Sequence, residues 1–101
     1  MRIISERAVK NYYQQNPESE TALRYWIRAI RIADWHSFID LKNTFNHADI
    51  YKKCIIFDVG GNKWRVIGKV EYQKHLVFIK RILTHDDYTH KNGRLWKSDC
   101  E

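Results

Sequence analysis

The sequence predicts an α+β fold, with N-terminal helices packed on a small twisted antiparallel sheet. Two observations predict it. Apolar residues recur at helical spacing only in the first half of the chain, whereas from Cys54 onward they alternate or run continuously, as in strands. Turn residues then divide that second half into two consecutive hairpins. With 101 residues, 44% of them hydrophobic and 30% charged, the chain is sized for one modest core and is too apolar to be disordered. One proline and four glycines exclude collagen-like and low-complexity classes.

The elements follow in order. Arg2–Ile4 is a short β-branched strand, available to a sheet edge. Ser5 caps a helix starting at Glu6, whose Ala8, Val9, Tyr12 and Tyr13 form one apolar stripe. Asn16 as N-cap, Pro17 at the first helical position, and Glu18 and Glu20 near the positive end open a second helix. It carries Leu23, Trp26, Ile27 and Ile30 at i, i+3, i+4, i+7, while Arg24, Arg28 and Arg31 read as a solvated face. Trp35, Phe38, Ile39 and Leu41 suggest a short helix capped near Asp34 or Ser37, and Phe45 to Ile50 reads as a connection. Cys54–Phe57 is an apolar strand. Asp58-Val59-Gly60-Gly61-Asn62 is a turn in which glycine takes positive φ without penalty. From Lys63 to Tyr72, Trp64, Val66, Val70 and Tyr72 face one way and Lys63, Arg65, Lys69 and Glu71 the other. Gln73-Lys74 links this strand to a last one, His75–Thr84, completing a three-stranded antiparallel meander. Trp26 and Trp64 are expected in the core. The polar tail from Lys91 to Glu101 is expected to be loose.

Lys and Arg number 18 against 12 Asp and Glu, a net charge of +6, with a pI near 9.4. That surplus favours anionic partners. With 14% aromatic residues it suits RNA, whose phosphates attract cations and whose bases stack on rings. No apolar run is long enough to span a bilayer, and Met1 to Glu6 turns polar too early for a signal-peptide core, so no membrane partner is expected. Cys54 and Cys100 fit no Cys-x-x-Cys or Cys/His spacing. They are expected to be reduced cytoplasmic thiols, Cys54 as a small buried side chain.

Familiar catalytic motifs are absent. Gly60-Gly61-Asn62 lacks the rest of a phosphate loop and is a hairpin turn. His36 and His47 are isolated, His85 and His90 have no completing cluster, and neither metal nor cofactor is expected. No serine or cysteine nucleophile motif is present. The remaining candidates are cationic: Arg65 flanked by Lys63 and Lys69, then Lys80 and Arg81 on opposite faces of the next strand, then His85 and Tyr88 at its end. On spacing alone these fit a solvated basic face or a metal-free RNA-cleaving site. Such a site needs a base for the ribose 2′-OH, cations for the phosphorane-like charge, and an acid for the leaving 5′ oxygen.

Phe57-Asp58-Val59-Gly60-Gly61-Asn62-Lys63-Trp64-Arg65-Val66-Ile67, followed by Val77-Phe78-Ile79-Lys80-Arg81-Ile82-Leu83-Thr84-His85-Asp86-Asp87-Tyr88, resembles the HigB family of toxins from bacterial type II toxin–antitoxin modules. The resemblance extends over about residues 1–90 and includes Arg2-Ile3-Ile4-Ser5 and Ala33-Asp34-Trp35. It implies a single RelE-like toxin domain over 1–90 with a C-terminal tail over 91–101. It also implies metal-independent, ribosome-dependent mRNA cleavage in the cytoplasm. The partners it implies are the ribosome, mRNA, and a cognate HigA-type helix-turn-helix antitoxin, with operator DNA bound only by the toxin–antitoxin complex. Carried over by residue, Arg65 would stabilise the transition-state phosphate, His85 would act as general acid or base, and Tyr88 would orient or stack on substrate. Lys80 stands where arginine is common and loses the bidentate fork. Asn62, Lys63 and Lys69 would contact RNA. Asp58 stands where asparagine is common. The other readings of the same shape are a non-catalytic toxin that grips a protein such as gyrase, and a plain RNA-binding module.

Overall fold

The computed structural model describes residues 1–101. It holds strand β1 (Arg2–Ile4), helix α1 (Glu6–Gln15), helix α2 (Glu20–Ile32), helix α3 (Phe38–Thr44), strands β2 (Asp49–Tyr51), β3 (Cys54–Val59), β4 (Trp64–Glu71) and β5 (Leu76–Thr84), and helix α4 (His85–Thr89). The fold is therefore α+β, with four helices and one five-stranded sheet in the order β1-β5-β4-β3-β2.

The sheet is mixed rather than purely antiparallel. The predicted meander is β3-β4-β5, and β1 joins its edge parallel to β5, with Arg2 opposite Leu76 and Ile4 opposite Phe78. Parallel pairing requires a long crossover, which α1 to β4 supply. At the other edge, Asp49–Tyr51 pairs with β3 where the sequence suggested only a connection. A bulge interrupts β4–β5: Ile67 faces Arg81 but Gly68 faces Ile79, which leaves Lys80 as the extra residue. A Cβ at Gly68 would stand 2.7 Å from the Phe78 carbonyl oxygen, so the bulge depends on glycine there.

Helix capping follows the local chemistry. Ser5 accepts from the Ala8 amide at 3.4 Å, and Ser37 accepts from the Asp40 amide at 3.4 Å, which makes Ser37 rather than Asp34 the cap of α3. Asn16 does not cap the second helix. It turns back to donate from Nδ2 to the Tyr12 carbonyl at 2.9 Å, and a 3₁₀ turn over Pro17–Ser19 precedes α2. The arginine face of α2 is exposed and acid-paired: Arg24 meets Glu20 at 2.6 Å and Arg31 forks onto Glu6.

The main core gathers Val9 and Tyr13 of α1, Leu23, Trp26, Ile27 and Ile30 of α2, Leu41 of α3, and Ile55, Phe57, Val59, Trp64, Val66 and Val77 of the sheet. Phe57 is its centre, with ring centroids of Trp26 at 5.3 Å, Phe45 at 5.5 Å and Trp35 at 6.3 Å. Trp26 and Trp64 are both buried, as expected.

The opposite side of the sheet is buried as well. Cys54, Ile56, Ile67, Leu83, Trp96 and Cys100 form a second cluster, with Tyr51 and Tyr88 packed against it. The tail is thus not loose: after α4 the chain returns over the sheet and inserts Trp96 and Cys100. Nor are the cysteines free thiols, because Cys54 and Cys100 form a disulfide across a sequence separation of 46 residues. Closing a loop of that size stabilises by roughly 4 kcal/mol in the chain-entropy view. Both thiols lie in the interior of the second cluster, so burial and pairing coincide.

Replacing Phe57 with alanine removes the ring that three aromatic neighbours share. The expected loss is about 3–5 kcal/mol of unfolding free energy, read as a lower urea midpoint at unchanged slope.

Candidate active site

The site begins with the β3–β4 turn. Gly60, Gly61 and Asn62 all take positive φ, at 70°, 60° and 76°. A Cβ on Gly60 would stand 2.6 Å from the Trp64 ring, so space and backbone both demand glycine there. Asp58 stabilises the turn by accepting from the Asn62 amide at 2.8 Å. The Asn62 side-chain oxygen is thereby placed to accept from Nη2 of Arg65.

Arg65 is a buried guanidinium at 9% exposure. Its Nη1 donates to the Trp64 carbonyl at 3.2 Å and lies 3.5 Å from the Asp58 carboxylate. A charge so far from water needs this set of partners. On its remaining side the guanidinium carbon sits 5.0 Å from the centroid of the Tyr88 ring, a cation–π contact.

The strand-to-helix step after β5 brings in the other two groups. Thr84 caps α4, accepting from the Asp87 amide at 3.2 Å. The His85 amide donates to the Lys63 carbonyl at 2.9 Å, which ties the start of α4 to the turn. His85 and Tyr88 are three apart on α4, a spacing that places them on one side of the helix. Nδ1 of His85 is buried with no hydrogen-bond partner. Tyr88 is stacked on Trp96, centroids 5.1 Å apart and planes at 14°, and the Trp96 indole N–H donates to the Tyr88 carbonyl at 2.9 Å. Burial pushes the Tyr88 phenol above its ordinary value. Arg65 pulls it down and Asp49 pushes it up. The phenol is therefore neutral at neutral pH, a donor and a ring rather than an anion.

The structure thus brings Arg65, Tyr88 and Asn62 into contact, and joins Lys63 to His85 through the backbone. Lys69 and Lys80 lie elsewhere. They share a hollow with Ser5, Ala8, Phe78 and Ile79, and Lys69 is 3.3 Å from Glu71. Lys69 stands four residues along β4 from Arg65, roughly 13 Å at strand rise. No group of three or more His, Cys, Asp or Glu side chains is assembled. Two contributors went unread in the sequence. Asp58, legible only as an odd residue in the turn, holds both Asn62 and Arg65. Trp96 lies in the tail, where a tryptophan and a cysteine among polar residues were the available signal.

The chain is thus a small α+β domain in which Arg65 and Tyr88 meet at one end of the sheet, where α4 begins at His85. Residues 19–91 match the family model of the HigB toxin, described as the RelE-like toxic component of a toxin–antitoxin system. The chain is 30% identical over 91 residues to the mRNA interferase HigB of Escherichia coli O6:H1, covering 87% of this chain and 88% of that protein. It is 29% identical, with the same coverage, to the mRNA interferase toxin HigB of Escherichia coli K12 and to the mRNA interferase HigB of Shigella flexneri. The chain belongs to the HigB toxin family.

The Tyr88 environment makes a titration prediction. Arg65→Gln removes the cation that favours the phenolate, so the Tyr88 midpoint rises further. Asp49→Asn removes an opposing carboxylate, so the midpoint falls. Ultraviolet pH titration, with Tyr88→Phe as the assigning blank, checks both signs; a midpoint indifferent to either change contradicts the described contacts.

Proposed function

We propose that this chain is an mRNA interferase, a toxin that cleaves ribosome-bound mRNA by metal-independent attack of a ribose 2′-OH on the adjacent phosphodiester. Its relatives are named mRNA interferases. The observation that carries the reading is the contact of Arg65 with Tyr88 at the sheet end where α4 delivers His85, whose ring nitrogen has no internal partner.

The chemistry balances within the RNA. The 2′ oxygen bonds to phosphorus as its proton leaves, and the bond to the 5′ oxygen breaks as that oxygen gains a proton. The products are a 2′,3′-cyclic phosphate and a free 5′ hydroxyl. His85 is the proton-transfer group. Arg65, held by Asn62 and Asp58, faces the charge that grows on the phosphoryl oxygens. Tyr88, neutral, donates to phosphate or stacks on a base. Lys63 beside the turn, and Lys69 and Lys80 in their separate hollow, hold the RNA backbone as it runs to and from the scissile bond. The fold is compatible with a RelE-like toxin domain with helices packed on the sheet, and the tail after residue 90 packs onto that same domain through Trp96 and Cys100. The setting is the cytoplasm, where the ribosome is. There the chain pairs with a HigA-type helix-turn-helix antitoxin, and only the pair binds operator DNA.

His85→Ala and Arg65→Ala are expected to abolish growth arrest and mRNA cleavage while the proteins remain folded by circular dichroism. Growth arrest persisting in both, with intact mRNA, assigns the toxicity to a protein target instead. RNA binding without cleavage or growth arrest reduces the chain to a binding module. Affinity for ribosome-bound mRNA should also fall with salt, and Lys80→Gln should flatten the log–log slope by about 0.7, one single-strand phosphate contact. An unchanged slope removes Lys80 from the RNA surface.

A further inference from the structure

The tail that covers the second face of the sheet does more than fill space. Trp96 touches the site's tyrosine twice: its ring stacks on the Tyr88 ring, and its indole N–H bonds to the Tyr88 carbonyl. Tyr51 packs edge-on against the far side of the cluster, 5.3 Å from the Trp96 ring. Four residues on, Cys100 is covalently tied to Cys54 at the start of β3. Apart from the disulfide and the buried Trp96 itself, the segment is held by polar pairs at the surface, Arg81 with Asp99 at 2.8 Å and Lys52 with Glu101 at 2.7 Å. Such pairs contribute little. Matching to the family model ends at residue 91, so Trp96 and Cys100 lie outside the matched stretch.

We propose that Trp96 is a positioning residue for Tyr88, that the Cys54–Cys100 disulfide keeps it in place, and that cleavage by this chain is therefore strongest when the disulfide is formed. The inference rests on the nuclease reading given above. Tyr88 has two flat partners, the Arg65 guanidinium over its ring and the indole of Trp96 stacked on it. With the indole gone, the ring is free to leave the guanidinium, and a displacement of about 1 Å at a reacting group is enough to cost two orders of magnitude in rate. Release needs a thiol reductant. One thiolate attacks a sulfur of the disulfide to give a mixed disulfide, and a second thiol displaces the protein sulfur. Two protein thiols form and the reductant leaves as its own disulfide, a two-electron, two-proton exchange. Both protein sulfurs are buried, so attack waits on local opening of the 3₁₀ turn over Lys97–Cys100. In a compartment kept reducing by thiols, a disulfide is the exception and serves as a sensor. Oxidation would then close the clasp and raise the toxin's rate.

The test uses the purified full chain, with dithiothreitol as reductant and mRNA-programmed ribosomes as substrate. Reduction is expected to lower kcat about ten- to a hundredfold with KM little changed, and to leave a Cys54→Ser/Cys100→Ser protein, already slow, unaffected. Trp96→Leu with the disulfide intact should match the reduced protein, whereas Trp96→Phe, which keeps a stacked ring, should recover most of the rate. An independent readout is the Tyr88 ring resonance in nuclear magnetic resonance spectra. Stacking on indole shifts it, and reduction or Trp96→Leu should return it to the position of an exposed tyrosine. The proposal is overturned if Tyr88 stays stacked after complete reduction of a folded protein. It is equally overturned if kcat is unchanged although the ring has been released. Should reduction unfold the chain, the Trp96→Leu comparison decides alone. Should the oxidised wild-type protein not cleave at all, the nuclease reading fails, and the resonance still shows whether the clasp positions Tyr88.

Discussion

A guanidinium that is almost out of water needs fixed partners, and at Arg65 that requirement organises one end of the sheet. Asn62 and the Trp64 carbonyl accept its protons, Asp58 supplies the opposing charge, and the Tyr88 ring lies against it. Each of those partners is itself fixed by something local. Asn62 is held in a left-handed conformation by the Asp58 carboxylate, the two glycines let the chain turn beneath the Trp64 ring, and α4 is pinned to the turn by the His85 amide. The cation is held by rigid acceptors, as the proposed stabilisation of a developing phosphoryl charge demands. A lysine at this position would lose the planar fork that lets one side chain meet amide, carbonyl and carboxylate together.

The strands and the main helix were legible because their signals are periodic. Leu23, Trp26, Ile27 and Ile30 mark one face of α2, and the alternation along β4 gives the register into which Trp64 and Val66 fall. Other features escaped because their causes are tertiary. Asp49–Tyr51 has little strand character of its own and becomes a strand by pairing with β3. Asn16 has the chemistry of an N-cap yet bonds back to Tyr12, since the 3₁₀ turn over Pro17–Ser19 intervenes. Lys80 was read from alternation, which a bulge suspends.

The run Cys54-Ile55-Ile56-Phe57 held more information than a strand assignment used. Four consecutive apolar residues mean a strand buried on both faces, and a strand buried on both faces needs two covers. The helices are one. The other had to come from the polar tail, whose Trp96 and Cys100 are its only large apolar or thiol side chains besides Leu95, which stays exposed. Of the candidate site, Arg65, His85 and Tyr88 were legible as residues, while their mutual contacts depended on α4 and the tail, for which spacing gives no rule.

The parallel pairing of β1 with β5 carries a temporal consequence. Arg2–Ile4 leaves the ribosome first, yet its register partners, Leu76–Phe78, emerge about seventy positions later. The sheet therefore cannot close, nor can α4 be set beside the turn, until synthesis is nearly finished. A growing chain therefore carries Arg65 and His85 unassembled until nearly all of it has been made.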